Sequence, residues 1–396
     1  MNPSRHHFQL SGGGLAQRIR RRLRGEEAHP LSIRTKIALS VLLLWLPPAV
    51  LSLAAGTFVG DAVTQPFLMD VIPQVRLLLA LPLLFLAARV IDPAVDLLVR
   101  HLDESGLVTE THRPQYQAAL RELGKARDAV APDLIILLLA IALSSLAESR
   151  FVASMSQTGL TSSLWSISEG NLRWTAAGAW YVHFSAPLFR FVLFRWAWRF
   201  LIWTRFLYRV SRLPLNLQPT HPDLSGGLEI LGFGQQAFAL IFVAIASLVS
   251  SSIAQDILFE GAVFSSSRLE ILGFIVASVV AIEAPLLFFA NALYESRRSG
   301  LSQYAVLGQH LSRAFSAKWI ETAQADMGTE LRSSDDASAM TDYKATFDVV
   351  HNMRVIPVAP RSVLRLVVAL LIPFIPLYFT EFSVTDLLER ISKALI

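Results

Sequence analysis

Glu283 stands in the run Ala281-Ile282-Glu283-Ala284-Pro285, near the middle of an apolar stretch from 270 to 293. A carboxylate at that depth is costly in hydrocarbon and calls for a partner or a water-filled cavity. The chemistry it supports is proton or ion binding. The competing structural reading is a hydrogen bond, or a protonated acid, inside a helix bundle. Pro285, two residues on, has no N–H to donate, so a kink is expected there. An apolar stretch from 174 to 198 supplies basic partners. His183 and Arg190 are seven residues apart and so close to one helical face. Arg195, Arg199, Arg205, Arg209 and Arg212 continue as a stripe over an arc of roughly 140° at about 100° per residue, with His183 and Arg190 on its border. A stripe of this kind lines a path for anions. Arginines snorkelling to lipid headgroups give the same pattern, and account for Arg199 to Arg212 better than for Arg190. These positions predict that Glu283 meets His183 or Arg190 near the membrane midplane.

A second constellation is Pro219-Thr220-His221-Pro222-Asp223-Leu224-Ser225-Gly226-Gly227-Leu228. His221 and Asp223 are acid–base and metal-ligand types, yet two ligands do not make a metal site, and no nucleophile lies nearby in sequence. His310 and His351 are the remaining histidines with a claim. No metal, no cofactor and no catalytic set is expected from these residues. Gly226 and Gly227 allow positive φ or close backbone approach. The favoured reading is a capping turn, with Asp223 or Ser225 as N-cap to the helix that follows.

The elements that must position these groups are seven apolar stretches, at 35–58, 72–91, 131–148, 174–198, 235–257, 270–293 and 363–380. A crossing helix needs about 20 mostly apolar residues, and backbone polar groups cannot go unpaired in lipid, so all seven read as helices. The fold expected is an all-α polytopic bundle. Hydrophobic residues make up 53% of the chain and charged residues 17%, against about 25% charged in soluble domains. There is no cysteine, which excludes disulfides and thiolate chemistry. The net charge of +4 reflects basic cytoplasmic loops rather than nucleic-acid binding.

Counting lysine and arginine fixes the orientation. Eight lie in the N-terminal arm, six between the second and third stretches, five between the fourth and fifth, and nine between the sixth and seventh; the other side holds six. The positive-inside rule then puts the N-terminus in the cytoplasm and the C-terminus in the periplasm of a bacterial inner membrane. Ser52-Leu53-Ala54 loosely resembles a signal cleavage site, but the long preceding arm and Trp45-Leu46-Pro47-Pro48 speak against removal.

Residues 1–33 read as a basic disordered arm attracted to anionic lipid. Residues 34–293 hold six crossings, an amphipathic insert at 92–130 and a loop at 205–234. Residues 294–362 form a cytoplasmic helical segment, with Tyr304, Leu307, Leu311, Phe315 and Trp319 on one side of a helix over 301–325 and Asp335-Asp336 opening a second. Residues 363–396 hold the last crossing and a tail. Pro47, Pro48, Pro82, Pro187, Pro285, Pro373 and Pro376 lie within the crossings as candidate hinges.

The chain resembles an uncharacterised family of bacterial polytopic membrane proteins. The similar stretches are Val75-Arg76-Leu77-Leu78-Leu79-Ala80-Leu81-Pro82-Leu83-Leu84, Arg195-Trp196-Ala197-Trp198-Arg199, Pro219-Thr220-His221-Pro222-Asp223 with Gly226-Gly227-Leu228, Lys318-Trp319, Asp336, Asp342, and Met353-Arg354 with Pro357. Members usually carry arginine where Leu224 stands. The resemblance covers most of 66–390, supports the topology and implies no activity. The residues favour an oligomeric channel or gradient-driven transporter for anions or protons, through Glu283, His183, Arg190, Arg195 and Arg199. The alternatives are a membrane enzyme using His221 and Asp223, and a non-catalytic scaffold or sensor built on 294–362.

Overall fold

The computed structural model describes residues 8–15, 18, 32–155, 161–168, 171–321 and 335–381. Arg20, Arg21, Arg22 and Arg24 of the basic arm, and Arg390 and Lys393 of the tail, lie outside the described residues.

The chain is largely helical. Among the described residues five helices are long and apolar enough to cross a membrane. They are α1 (Ile33–Ala54), α2 (Val71–Glu104), α6 (Glu229–Phe259), the run Phe264–Trp319, and α10 (Pro360–Thr380). Within that run, α7 (Arg268–Glu283) passes through a 3-10 segment, Ala284–Phe289, into α8 (Ala290–Trp319). A sixth crossing results if α3 (Arg113–Asp128) and α4 (Ala131–Met155), bent by 44° at the break between them, act as one. The stretch at 174–198 lies in α5, an unbroken helix over 176–211 that is too rich in polar side chains to qualify on apolarity. α4 and α5 nevertheless pack along each other. Leu42, Leu43 and Val50 of α1, Ile135 and Leu138 of α4, Leu269 and Val280 of α7, and Leu364 and Val368 of α10 are all exposed. Flanks of that kind fit a polytopic helix bundle immersed in lipid.

Among the described residues one pair of strands interrupts the helices. Trp165–Ser168 and Asn171–Trp174 pair as an antiparallel hairpin, β1 and β2, with Trp165 opposite Trp174. Two short strands separated by two residues are the geometry of a tight hairpin.

Proline shapes three helices in the same way. α1 is π-helical over Val41–Trp45, α2 over Val75–Ala80 and α5 over Tyr181–Ser185. Each π-turn ends two residues before a proline, at Trp45, Ala80 and Ser185. The N–H of Leu46 reaches Val41, that of Leu81 reaches Arg76 and that of Ala186 reaches Tyr181, five residues back in every case. Proline has no N–H and its ring crowds the carbonyl four residues earlier, so the helix widens there. The carbonyls released by Pro47 and Pro48 belong to Leu43 and Leu44. Trp180 Nε1 donates to the first at 3.2 Å and Ser185 Oγ to the second at 2.6 Å. The three widened segments pack together.

Two apolar cores result. The larger joins α1, α2, α3, α5 and the first half of α6, with Trp203, Tyr116, Phe67, Phe206, Phe238 and Phe289 fully buried. The smaller joins the second half of α6 to α7 and α10 through Ile253, Ile271, Ile282, Leu370 and Phe374. Ser250 Oγ donates to the Pro373 carbonyl at 2.7 Å across the second. On the other side of the molecule α8 and α9 (Asp335–His351) pack as a pair. Tyr343 OH donates to the Tyr304 carbonyl at 2.6 Å, and a Cβ at Gly308 would lie 2.1 Å from that hydroxyl. Lys318 Nζ at 2.5 Å and Trp319 Nε1 at 3.0 Å both donate to Asp336, holding its carboxyl below the usual range.

Candidate functional site

α5 carries a ladder of polar groups along its length. Near its start Arg76 Nη1 donates to Tyr181 OH at 2.6 Å, and its guanidinium lies 5.8 Å from the ring centres of both Tyr181 and Phe189. Nine residues along, Arg190 Nη1 donates to Ser144 Oγ at 2.6 Å, and Ser144 in turn donates to the Ala140 carbonyl. Among the described residues no carboxylate lies within ion-pair distance of Arg76 or Arg190. The direct contacts of both guanidiniums are therefore neutral acceptors and aromatic faces, while the buried carboxylate of Asp70, at the start of α2, acts on Arg76 from beyond ion-pair distance.

Further along α5 the ladder becomes a cluster of paired charges. Arg195 Nε sits 3.4 Å from Asp133 Oδ1, and both side chains are largely buried. Arg199 is buried, with its guanidinium 4.8 Å from the Trp196 ring centre. Asp92, Asp96, Asp128 and Arg127 complete the set, with Asp96 bonded to Arg100 and Asp128 to Arg127. The partner of this cluster is the N-terminal segment, residues 8–15. Asp96 accepts the Phe8 N–H at 2.8 Å. Asp92 accepts the Ser11 N–H at 2.7 Å and the Ser11 hydroxyl at 2.5 Å. Asp133 Oδ2 accepts the Leu15 N–H at 2.6 Å. In the opposite sense Arg127 donates to the Gln9 carbonyl at 2.8 Å, Arg195 to that of Gly13 at 2.6 Å, and Arg199 to that of Ser11. Leu10 is 0% exposed and belongs to the larger core.

Gly13 and Gly14 make this seat possible. Their φ values are +77° and +74°, and a Cβ would fall 2.1 Å from Asp128 Oδ1 and 2.3 Å from Asp133 Oδ2. The sequence Ser11-Gly12-Gly13-Gly14 reads as a linker within a disordered arm. In the structure residues 8–15 are instead a strap, turned at Leu10-Ser11, held by carboxylates on its N–H groups and guanidiniums on its carbonyls. A sequence signal was present: four aspartates at 92, 96, 128 and 133 border apolar stretches at the same end as the arginine stripe.

The basic stripe of α5 does not act as one surface. Arg195 and Arg199 turn inward. Arg209 and Arg205 pair with Glu122 of α3 at 2.6 and 3.6 Å. Arg212 reaches Tyr208 OH at 3.2 Å. His183 leaves the ladder: it is exposed on the flank, with Nδ1 2.9 Å from the Ala179 carbonyl.

Glu283 meets neither His183 nor Arg190. Its neighbour Ile282 accepts from Gln235 Nε2 at 2.7 Å, and Gln235 Oε1 accepts from Trp203 Nε1 at 3.1 Å. Trp203 lies thirteen residues past Arg190, about 20 Å of helix at 1.5 Å per residue. α5 and α7 are staggered relative to the register that equal depth within each apolar stretch suggests. The Glu283 carboxylate is left half-buried at the end of α7, and both its oxygens lack a hydrogen-bond partner.

The His221–Gly227 loop is a knot. Asp223 Oδ1 accepts the N–H groups of Ser225 at 2.8 Å and Gly227 at 3.1 Å, and Oδ2 accepts that of Glu229 at 3.0 Å. His221 Nδ1 lies 2.8 Å from Asp223 Oδ1. Burial works to raise the Asp223 carboxyl; the donors from Glu229, Ser225, Gly227 and His221 outweigh it, and the group titrates below the usual range. Arg354 donates to the Asp223 carbonyl at 2.6 Å and its N–H to that of Leu224 at 2.7 Å. Leu224 has φ +56°, Gly226 +63° and Gly227 +95°. Neither Asp223 nor Ser225 is the N-cap of the helix that follows: that position is Leu228, without a side-chain cap bond, and Asp223 reaches the first helical N–H, that of Glu229, from further upstream. Among the described residues no group of three or more metal-ligand types comes together.

Two cavities stand outside these sites. One of about 490 Å³ lies between α3 and α5, and one of about 510 Å³ is lined by Arg297, Pro360 and residues of 351–358. Comparison with protein families, curated proteins and solved structures found no match.

Proposed function

We propose that the chain is a transport protein of the bacterial inner membrane, a channel or gradient-driven transporter, in which an anion travels along α5. The observation that carries this is the pair Arg76 and Arg190, two cations among apolar helices, neither with a carboxylate within ion-pair distance among the described residues and only Arg76 with one, Asp70, acting from further off. A charge held there is retained for a purpose in most membrane proteins, and an anion is its natural visitor. Seven crossings with the N-terminus inside remain the topology favoured by the arginine distribution. On that topology Arg76 and Tyr181 lie towards the periplasm and Asp92, Asp133, Arg195 and Arg199 towards the cytoplasm. The strap 8–15 then closes the cytoplasmic end. An anion has no reason to enter a cluster whose arginines are already matched by aspartates and peptide carbonyls, so the strap must leave first. Homo-oligomers fit the exposed Val306 and Leu307 on α8, which lie beyond the crossings.

Chloride efflux from liposomes tests this, using protein lacking residues 1–15 so that the closed end does not mask the path. Arg190→Gln should cut the rate about tenfold, the loss of roughly 1.4 kcal/mol of charge-assisted stabilisation. Equal rates for both forms, or no flux above empty liposomes, would overturn it.

Enzymatic use of His221 and Asp223 has less support, because the Asp223 carboxylate is engaged by three backbone N–H groups.

A further inference from the structure

We infer that the cleft between α3 and α5 holds the headgroup and upper acyl chain of an anionic phospholipid. Its walls are apolar: Leu123 and Ala126 of α3 face Trp198, Leu201, Ile202 and Phe206 of α5. Its rim carries Lys125 from one helix and Arg205 and Arg209 from the other, with Glu122 as the one carboxylate. Glu122 is engaged mainly by Arg209, at 2.6 Å against 3.6 Å for Arg205. Three cations against one anion leave the rim positive. Arg205, whose side chain is 68% exposed, keeps most of its five N–H donors free.

Depth identifies the visitor. Tyr208, between the two rim arginines, packs edge-on against Phe288 with ring centres 5.3 Å apart. Phe288 lies five residues before the end of the apolar stretch 270–293, and the next charge along that run is Glu295. The rim therefore sits where hydrocarbon gives way to headgroups on the strongly basic side of the molecule. A soluble phosphate has no use for the apolar walls, and a neutral lipid has none for the surplus charge. A phospholipid whose phosphodiester carries net negative charge uses both. Snorkelling explains isolated arginines at this level; it does not explain a concave apolar wall facing Lys125 across from another helix. The inference needs only membrane embedding and is independent of anion transport.

The test uses the delipidated full chain in detergent. Native mass spectrometry reads competition between phosphatidylglycerol and phosphatidylcholine, and thermal unfolding reads protection by each lipid and by inorganic phosphate. Wild type should retain phosphatidylglycerol with about tenfold preference, in line with the attraction of basic residues for anionic lipid at a membrane surface. Lys125→Gln with Arg205→Gln should bring the preference close to unity. If that pair fails to fold, Leu201→Trp decides: Leu201 is 59% exposed, so the larger ring fits at its position and fills the cleft while the rim stays intact. It should lose bound lipid. An unchanged preference in the charge variant, lipid retained by Leu201→Trp, or protection by phosphate equal to that by phosphatidylglycerol would each overturn the assignment.

Discussion

At the scale of single residues, the molecule separates charges that are used from charges that are stranded. Glu283 has two oxygens without a donor. Leaving a buried polar group unpaired costs about 1–3 kcal/mol, so Glu283→Gln should unfold at an equal or higher temperature than wild type. A fall in melting temperature would mean that the carboxylate has a partner. Asp223 is the opposite case. Its carboxyl titrates below the usual value of 3.8. A depressed folded-state value means that its contribution is full above the unfolded-state value and is lost as pH falls through the folded one. Asp223→Asn should therefore destabilise at pH 6, and the gap from wild type should close as pH drops below about 4, read by denaturant midpoints. A turn at Asp223 was legible because proline, aspartate and glycine have local conformational rules, but the N-cap of the helix that follows, Leu228, was not. The surroundings of Glu283 were not, because depth within an apolar stretch fixes a residue only to within the stagger between neighbouring helices.

Among the elements, the apolar stretches were the most readable part of the chain. Length and composition specify them, and five fall on helices that meet both tests. The widened turns before Pro47, Pro82 and Pro187 were legible as candidate hinges but not as π-turns, since a hydrogen bond that moves one residue back leaves no trace in composition. Ser185 holds a carbonyl that Pro48 releases. Ser185→Ala should cost about 1–3 kcal/mol, measured by thermal unfolding, and a neutral result would show that water fills the gap. The strap 8–15 was hidden for a different reason: glycine and serine have the same composition in a linker and in a close-fitting seat. Gly14→Ala places a methyl 2.3 Å from Asp133 and should release the strap. Chloride flux from that full-length variant should then approach that of protein lacking residues 1–15. Flux held at the wild-type level would mean that the strap does not block the path.

For the molecule as a whole, the arginine bias makes a claim that a labelling experiment answers directly. The chain has no cysteine, so single introduced thiols report without background. Ser4→Cys should react only from the cytoplasmic side of oriented vesicles and Ser392→Cys only from the periplasmic side. Labelling of both from one side would mean an even number of crossings and would invert one end of the path along α5.

The tie between α1 and α5 also bears on biogenesis. Trp180 and Ser185 supply the donors for the Leu43 and Leu44 carbonyls from 137 and 141 residues away. During synthesis the first helix leaves the ribosome long before those donors exist. At the roughly 5–20 residues per second of translation, it waits many seconds with two bare acceptors, and bare acceptors are poorly tolerated in lipid. The insertion machinery, with its wetter interior, is the place where that helix can wait, so its release should be timed to the arrival of the fifth.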